Sequence, residues 1–384
     1  MNVVKLESLT DRKIGYGIVQ PGASVPNGIP VIKVNNIISG LRNISDLDTT
    51  TVENESKYTR TRLVGGELII SVVGTIGKTA IVPADFAGCN LVRATAMIDI
   101  KDPLITQWVK YYIDSPMGQH YIAENLNTTV QPTLNVKSLV EMPIPMYSSE
   151  YIENVVSILK SLDDKIECNR RINENLEQQA QALFKSWFVD FEPFKADELV
   201  ESELGMIPKG WRVYSLSEFL PVITGKKDAN VAKGGVYPFF SCSQDYSWTD
   251  DYSFDGSAIL VAGNGDFNVK MYVGKFEAYQ RTYVLIPYNP SYTAWLYYAV
   301  KYHLKEITSA ARGSVIKFIT KGNLADFKFA APSSLDGVDI ITKFDKIRKK
   351  VSAGIEESRR LAELRDTLLP KLMSGELKVG EINV

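Results

Sequence analysis

The sequence contains few of the residues from which metal sites and disulfide frameworks are built. Among 384 residues there are only three cysteines and two histidines, and the cysteines stand far apart along the chain. These five residues are Cys89, Cys168, Cys242, His120 and His303. No metal-ligand spacing and no disulfide pairing can be read from such a pattern.

Long apolar runs are also missing. The longest, such as "GELIISVVG" from Gly66, fall short of the roughly 20 residues that a membrane-spanning helix needs. The N-terminus lacks the basic and then apolar pattern of a secretory signal. We therefore expect a folded protein that resides in the cytoplasm.

A strong net charge is absent as well. The formal charge is −2 and the isoelectric point is near 5.9, so the whole protein has no general attraction for nucleic acid. Any site for a polyanion must therefore be built from local clusters of basic residues. The length and the 45% hydrophobic content predict at least two domains with cores of their own.

Two long amphipathic helices are predicted. From Ser149 to about Phe188 the apolar residues recur three or four positions apart, with Ser149 as the expected N-cap and Pro193 as the stop. A second helix is expected to follow "SSLD" at Ser333, which resembles a capping box, and to end near Gly375. Helices of about 38 residues would each be roughly 55 Å long.

The sequence contains an internal repeat of one arrangement, a β-rich segment followed by a long helix. "IECNRRINENLEQ" begins at Ile166 and "IEESRRLAELRDT" at Ile355, while "TVQPTLNVKSLVEMPIP" from Thr129 aligns with "SVIKFITKGNLADFKFA" from Ser314. Short β-rich runs punctuated by Gly, Pro, Asn and Asp precede each helix. The predicted fold is α+β, with two α/β domains that have β-rich cores, separated by a pair of long antiparallel helices in a pseudo-two-fold internal repeat. The predicted boundaries are 1–148 for the first domain, 149–192 for the first long helix, 193–333 for the second domain, and 334–384 for the second long helix and tail.

The two long helices are expected to pair with each other. Antiparallel pairing about a pseudo-two-fold axis would bury both apolar stripes and would place one domain at each end of a rod of fixed length. In the alternative arrangement each stripe packs only on its own domain. The length of the helices argues against that alternative.

Several short motifs suggest chemistry, but none of them is complete. "GTIGKTA" at Gly74 lacks the first glycine of a phosphate-binding loop, because Val72 occupies that position. "GNGDF" at Gly263 is explained by a tight turn, "PYNPS" at Pro287 lacks the second proline of an amino-methyltransferase loop, and "ELK" at Glu376 is only half of a nuclease signature. The two histidines are expected to be structural. A non-catalytic chain is therefore favoured.

The irregular parts of both domains are rich in side chains that bond to base edges and phosphates. The candidate DNA-binding residues are Lys33, Asn35, Asn36, Lys57, Tyr58, Arg60, Arg62, Lys78 and Arg93 in the first domain and Ser241, Ser243, Gln244, Asn264, Lys270, Arg281, Arg312 and Lys317 in the second. The candidate partner-binding residues, expected on exposed strips of the helices, are Arg170, Arg171, Phe184, Trp187, Phe188, Arg359, Arg360 and Leu372. The alternative for Trp187 and Phe188 is packing on the adjacent domain.

The run "IECNRRINENLEQQAQALFKSWFVDFEP" closely resembles the central conserved helix of type I restriction-modification specificity subunits. The resemblance extends over the whole chain. "ELGMIPKGWRVYSLSEF" from Glu203 is similar to the entry into a second target recognition domain, "GTIGKTAIV" to a strand-turn-strand element in the first, and "ESRRLAELRDTLLPKLMSGEL" to the C-terminal conserved helix. The N-terminal "MNVVKLESL" departs from the pattern because it lacks a Gly-Trp, so we expect a first domain trimmed by a few residues.

The resemblance implies a subunit that recognises DNA and carries out no chemistry. Each target recognition domain would read one half of a bipartite, asymmetric sequence in double-stranded DNA, and the paired helices would dock two methyltransferase subunits, which restriction subunits then join. Adenine-N6 methylation and ATP-dependent cleavage would belong to those partners, together with their S-adenosylmethionine, ATP and Mg²⁺. No cofactor or metal is expected on this chain.

Two other functions remain open at the level of sequence. An autonomous DNA methyltransferase or nuclease would need catalytic motifs that the sequence does not contain. A coiled-coil scaffold without a DNA role would not explain why the two domains have diverged more than the helices.

Overall fold

The computed structural model describes residues 2–127, 131–309, 311, 317–335 and 337–377. The chain divides into two compact units. The first, unit 1, contains the residues up to Ile166 and those from Arg359 onward, and the second, unit 2, is Glu167–Ser358. Each unit therefore contains one segment of each long helix.

The described residues of unit 1 form eleven short strands, five short α-helices, the first part of one long helix and the last part of the other. Its strands are β1 (Asn2–Lys5), β2 (Arg12–Tyr16), β3 (Ile29–Ile32), β4 (Asp48–Thr50), β5 (Leu68–Ser71), β6 (Thr79–Ile81), β7 (Asn90–Leu91), β8 (Thr95–Asp99), β9 (Leu126–Asn127), β10 (Thr133–Leu134) and β11 (Pro143–Met146). Its helices are α1 (Val34–Ser39), α2 (Val52–Glu55), α3 (Pro103–Asp114), α4 (Pro116–Glu124), α5 (Val136–Val140) and the long α6 (Ser149–Phe188), which continues into unit 2.

Unit 2 follows the same plan with fewer and longer strands. Its strands are β12 (Leu199–Ser202), β13 (Gly205–Pro208), β14 (Trp211–Ser215), β15 (Val222–Thr224), β16 (Tyr237–Phe240), β17 (Ser247–Thr249), β18 (Phe254–Ala262), β19 (Val269–Ala278), β20 (Thr282–Leu285) and β21 (Lys328–Pro332). Its helices are α7 (Thr293–Tyr302), α8 (Leu304–Ser309), α9 (Lys321–Ala325) and the long α10 (Asp339–Ser374), which ends in unit 1.

The strand order confirms the internal repeat. In unit 1 one sheet has the order β2-β8-β5-β6 and a second has the order β4-β3-β7, with β3 and β7 parallel. In unit 2 a six-stranded sheet has the order β15-β20-β18-β19-β16-β17, with β16 parallel to the end of β19. The ten-residue β19 thus occupies the positions of both β6 and β7. The antiparallel pairs β1-β11 and β14-β21 also correspond.

The long helices pair antiparallel within each unit, as predicted. In unit 1 Arg365 of α10 bonds to Asp163 of α6, and Leu372 of α10 accepts a bond from Tyr151 near the start of α6. In unit 2 the partners are Glu177 with Arg348 and Asn169 with Glu357. As the position rises along α6 it falls along α10, which is the antiparallel register.

The same helices also pack on the β-rich parts of their units. Ile152, Val155 and Leu159 of α6 lie in the core of unit 1, together with Leu372. Phe184 of α6 and Phe344 of α10 lie in the core of unit 2. The predicted pairing is therefore confirmed, and packing on the β-rich parts accompanies it instead of replacing it.

Helix α6 begins at Ser149 as predicted, but its cap is the preceding residue, and the predicted start of the second long helix is wrong by several residues. The side-chain hydroxyl of Ser148, rather than that of Ser149, accepts the bond from Tyr151 N that caps α6. Helix α10 begins at Asp339, so the "SSLD" motif at Ser333 precedes the helix and does not cap it, and its last residue, Asp336, lies outside the described residues. The end of α10 is as expected, because Gly375 has a φ of +75° immediately after Ser374.

Candidate nucleic-acid interface

In each unit three backbone hydrogen bonds tie four chain segments together at one edge of the sheets. In unit 1 Val92 N donates to Ile32 O (3.2 Å), Val72 N to Ala94 O (2.8 Å), and Leu134 N to Val72 O (2.9 Å). These bonds connect the loop after β3, the turn after β5, the segment before β8 and the bridge at β10. We call these four segments the loop edge of unit 1.

Unit 2 repeats this arrangement bond for bond. Tyr279 N donates to Phe240 O (2.9 Å), Gly263 N to Arg281 O (2.9 Å), and Ile319 N to Gly263 O (3.0 Å). The connected segments are the loop after β16, the turn after β18, the segment before β20 and the bridge at Phe318, and we call them the loop edge of unit 2. The alignment of Leu134 with Ile319, expected from the sequence, holds at the level of individual bonds.

A glycine is required at the same point beside both loop edges. A Cβ on Gly17 would lie 2.1 Å from Leu91 O, and a Cβ on Gly225 would lie 2.1 Å from Tyr279 O. Such contacts are far inside van der Waals distance, so any side chain would displace the backbone. The sequence analysis missed this pair, although both glycines directly follow a short strand.

Most of the candidate residues of the second domain meet at the loop edge of unit 2. Ser241, Ser243 and Gln244 lie in the loop after β16, while Arg281 precedes β20. Asn264 and Lys317 lie opposite each other, because Asn264 forms a bridge with Phe318 and Gly265 N bonds to Lys317 O at 3.2 Å. Arg312 lies outside the described residues.

Lys270 is the exception, since its ammonium group is already occupied. Nζ donates to the carbonyl oxygens of Ser241 and Ser243 and to Asn268 Oδ1. Burial lowers the pKa of this amine below its ordinary value. With three donors on three protein acceptors, Lys270 holds the loop and has no proton left for a phosphate.

The candidates of the first domain divide between the loop edge of unit 1 and a neighbouring cleft. At the loop edge, Lys33 pairs with Asp48 (Nζ–Oδ2 2.6 Å), and the amide of Asn36 accepts from Lys33 N at the start of α1. Asn35 lies in α1, directly after the loop that follows β3, and the exposed Arg93 lies in the segment before β8. Lys78 ends the turn between β5 and β6. That turn confirms the strand-turn-strand reading of "GTIGKTAIV".

The cleft has a volume of about 350 Å³ and a basic lining. Its walls are β2 and the 3-10 turn Ser56–Thr61, which carries the predicted Lys57, Tyr58 and Arg60. The sequence analysis missed Arg12, Lys13 and Tyr16 from β2, which complete the lining. The charged residues in "DRK" could have indicated this lining. In so short a strand, however, the alternation of polar and apolar residues does not show which face is exposed to solvent.

Tyr16 connects the cleft to the loop edge of unit 1. Its hydroxyl donates to Leu134 O at 3.0 Å and accepts from Val136 N at 2.7 Å. Burial raises the pKa of this hydroxyl, and the nearby guanidinium of Arg93 opposes the shift. The cleft is therefore bonded through Tyr16 to the bridge segment of the loop edge.

Two arginines of this region are held by buried carboxylates. Arg62 donates from Nε and Nη2 to both oxygens of Glu55, whose side chain is 1% exposed, and this bond lowers the pKa of the Glu55 carboxyl. Arg12 donates in the same way to Asp99 and Glu67. Arg62 is exposed but held in a structural ion pair, whereas Arg60, two residues earlier, is exposed and lines the cleft.

The proposed partner-binding residues are split by the structure. Phe184, Phe188 and Leu372 are 1%, 6% and 0% exposed in the cores of their units, so the prediction that they lie on exposed strips is wrong. The reason is that the C-terminal end of each long helix packs in the core of the unit that contains it. Trp187 is half-buried and contacts Phe194 edge to face, so for Trp187 and Phe188 the alternative of packing on the adjacent domain fits the structure.

None of the four candidate arginines of the long helices is buried. Arg171, Arg359 and Arg360 are exposed, and Arg170 is half-buried. Arg170 bonds to Glu167 and Glu174 of the same helix and lowers the pKa of Glu167 to about 2. Ion pairs of this kind keep the exposed surface of α6 polar along its middle part.

His303 packs among aromatic side chains as a structural histidine would, whereas His120 is exposed. His303 bonds through Nδ1 to Glu306 (2.9 Å) and packs against Phe184 and Phe327, while His120 lies 3.2 Å from Glu124 on the surface. Across residues 2–127, 131–309, 311, 317–335 and 337–377, no group of three or more His, Cys, Asp or Glu side chains is placed to hold a metal ion. In the same ranges, none of the helices combines the length and the apolar character needed to cross a lipid bilayer.

Comparison with known proteins gives consistent results. Residues 3–178 and 208–362 match the model of the type I restriction modification DNA specificity domain, so one match falls on each half of the repeat. The type I restriction enzyme EcoDI specificity subunit of Escherichia coli is 40% identical over 178 residues, which are 45% of this chain and 40% of that protein. The MjaIX specificity subunit of Methanocaldococcus jannaschii is 27% identical over 319 residues, covering 73% of this chain and 71% of that protein.

A solved structure shares the fold over nearly the whole length. The crystal structure of a type I restriction-modification S subunit from M. genitalium aligns with 97% of this chain and 95% of its own, with a TM-score of 0.56 and 16% sequence identity.

Proposed function

Because the chain belongs to the type I restriction-modification DNA specificity family, we propose that it reads a two-part DNA sequence, one part through the loop edge of each unit. As a specificity subunit it is not itself an enzyme. The earlier alternatives of an autonomous methyltransferase or nuclease, and of a scaffold without a DNA role, are therefore set aside.

The observation that carries this proposal is the repetition of the loop edge. The same three backbone bonds recur in both units, yet the side chains that they present differ, with Lys33 and Asn35 in one unit and Ser241 and Gln244 in the other. A shared frame with different donors and acceptors suits two readers of two different sequences. The basic cleft beside Tyr16 would add phosphate contacts that fix the register of unit 1 on the duplex.

The chemistry of the system would reside in partner subunits. Methyltransferase and restriction subunits are the partners of such a protein, and we propose two methyltransferase subunits per chain because the repeat offers two equivalent helix surfaces. Adenine methylation after base flipping would use S-adenosylmethionine, and cleavage would use ATP and Mg²⁺, all bound by the partners. We propose that the assembly acts on DNA in the cytoplasm.

The long helices would set the distance between the two half-sites. Helix α6 has 40 residues, which corresponds to about 60 Å at 1.5 Å per residue. Two readers held by such helices would meet the same groove about one helical turn of DNA or more apart, roughly 34 Å, and would leave an unread spacer between them.

Mapping of methylated adenines tests the proposal. The chain is expressed with its methyltransferase partner in a host without other adenine methylation, and the methylated positions are located by sequencing. The expected result is one asymmetric motif of two short half-sites around a spacer of fixed length. A single continuous motif would contradict two separate readers, and adenine methylation by the chain alone would contradict the non-catalytic role.

A further inference from the structure

The loop after β16 in unit 2 is held in place by side chains that lie outside it. Lys270, at the start of β19, bonds to the carbonyl oxygens of Ser241 and Ser243. Asn268, two residues earlier, donates from Nδ2 to Cys242 O at 2.8 Å and accepts from Lys270 at 2.7 Å. Three successive residues of the loop thus bond to one hairpin.

The loop is also braced internally. Ser243 N donates to Ser241 Oγ at 3.2 Å, and Ser243 Oγ donates to Asp245 O at 2.7 Å. Cys242 Sγ lies 3.4 Å from Arg281 O, which ties the loop to the segment before β20. A loop with this many polar bonds offers a fixed backbone shape rather than an adaptable one.

The side chain of Gln244 is not used in this bracing. It is exposed, and it lies between two residues, Ser243 and Asp245, whose main chains are fixed by the bonds described above. An amide side chain can bond to both N7 and N6 of adenine in one way only, in which its NH2 group donates to N7 and its carbonyl oxygen accepts from the N6 amino group. Among the four base pairs in the major groove, that pattern selects an A·T pair.

The corresponding loop of unit 1 is built differently. It continues directly into α1, and Asn36 and Lys33 are occupied by the helix cap and by Asp48. Any effect of the Lys270 network on recognition is therefore confined to one unit, and hence to one half-site.

We propose that Gln244 is a specificity-determining residue that reads an A·T pair in one half-site, and that Lys270 is a positioning residue that holds the loop carrying Gln244. This inference rests on the proposed DNA-reading function of the two units.

Methylation mapping with two variants tests this proposal in the complete complex with the methyltransferase partner. Gln244→Ala removes an exposed amide and leaves the bracing of the loop intact. Lys270→Met removes the ammonium group and keeps the length of the side chain. The matched control is Lys275→Met on the same strand, because the Lys275 ammonium lies over the ring of Tyr252 at 4.5 Å and away from the loop.

The expected result differs for each variant. Gln244→Ala should lose about tenfold in preference for A·T at one position of one half-site. Lys270→Met should weaken base preference at several positions of that same half-site, while the other half-site and the spacer stay unchanged and serve as an internal measure of folding and assembly. Lys275→Met should leave the whole motif as it is.

Several outcomes would overturn the inference. An unchanged motif in Gln244→Ala, or a lost preference at a G·C pair, would exclude the assigned reading. Loss of both half-sites together in Lys270→Met would show a general structural role instead of local positioning. A wild-type complex without any two-part motif would instead contradict the proposed function itself, so the two failures can be told apart.

Discussion

At the scale of single residues, neighbouring arginines with the same sequence context have different tasks. In "TRTR" Arg60 is exposed at the rim of the basic cleft, whereas Arg62 bonds to the buried Glu55. The guanidinium of Arg62 therefore compensates a carboxylate that would otherwise be buried without a partner. Arg60 is available for a phosphate.

Replacing each arginine by alanine should separate the two tasks. Arg62→Ala should lower the free energy of unfolding, because the buried carboxylate of Glu55 loses its charged partner. Arg60→Ala should leave stability within about 0.5 kcal/mol and weaken DNA binding. Urea unfolding and a DNA-binding titration of both variants measure these effects, and equal stability losses would contradict the assignment.

The pH dependence of the same variants provides the control. The lowered pKa of Glu55 contributes stability that is present above its unfolded value, about 4.3, and is lost as the pH falls through its lower folded value. Arg62→Ala removes the main cause of that shift. The wild-type protein should therefore lose more stability on acidification below pH 4.3 than the variant does.

At the scale of elements, each unit joins the helix pair through a tyrosine, a carboxylate and an arginine. In unit 1 Tyr111 of α3 donates to Asp163, which also accepts from Arg365. In unit 2 Glu177 accepts from Arg348 and from Lys301 of α7 at 2.9 Å, beside the ring of Tyr297. Arg348 is 8% exposed, so its charge depends on Glu177.

Glu177→Gln should therefore destabilise unit 2. The substitution leaves Arg348 and Lys301 as two buried or half-buried cations without a carboxylate, at a cost of about 3 kcal/mol. The matched control is Glu363→Gln, whose partner Arg359 is exposed on the same helix pair and whose loss should cost no more than about 0.5 kcal/mol. Thermal unfolding of both variants tests this, and equal midpoints would refute it.

The elements that the sequence predicted well are those with a strong period. The stripe from Ile152 to Phe188 has the 3.6-residue repeat over ten turns, so helix α6 and its end before Pro193 follow from it directly. Strands of two to five residues carry too little alternation to be placed in this way. The fusion of two strands into β19 was not foreseeable, because it depends on which neighbours pair across the sheet.

The candidate site was predictable in composition and less so in arrangement. Polar residues in turns pointed to the loop after β16 and to the turn after β18, and the structure brings these two segments to one edge of the sheet. The sequence did not reveal that Lys270 is buried or that Arg62 faces Glu55, because both depend on long-range contacts. Phe184 and Phe188 were wrongly predicted to be exposed, because an apolar stripe does not show whether its residues meet a partner or the domain of the same chain.

At the scale of the whole molecule, a net charge of −2 coexists with local basic surfaces. The loop edge and cleft of unit 1 carry Lys13, Lys57, Arg60 and Arg93 on the surface. Acidic residues elsewhere compensate them, so long-range attraction of DNA is weak. Tight binding would then need the methyltransferase partners to close around the duplex.

The isolated chain should accordingly bind DNA weakly and with a clear salt dependence. Each neutralised phosphate contributes about −0.9 to the slope of log K against log salt, so Lys13→Ala or Arg60→Ala should each reduce the slope by about one. Fluorescence anisotropy between about 50 and 200 mM salt measures this. Sequence-specific nanomolar binding by the chain alone at physiological salt would contradict the expectation.

The three bonds that fix each loop edge join main-chain atoms only, and this has a consequence for how the protein can diverge. No particular side chain at Asn264, Arg93 or Gln244 is needed to keep the edge folded. Substitutions at such positions can change which bases are contacted while the folding free energy stays nearly constant. A lineage could thus acquire a new DNA target through single mutations, each of which leaves a folded protein.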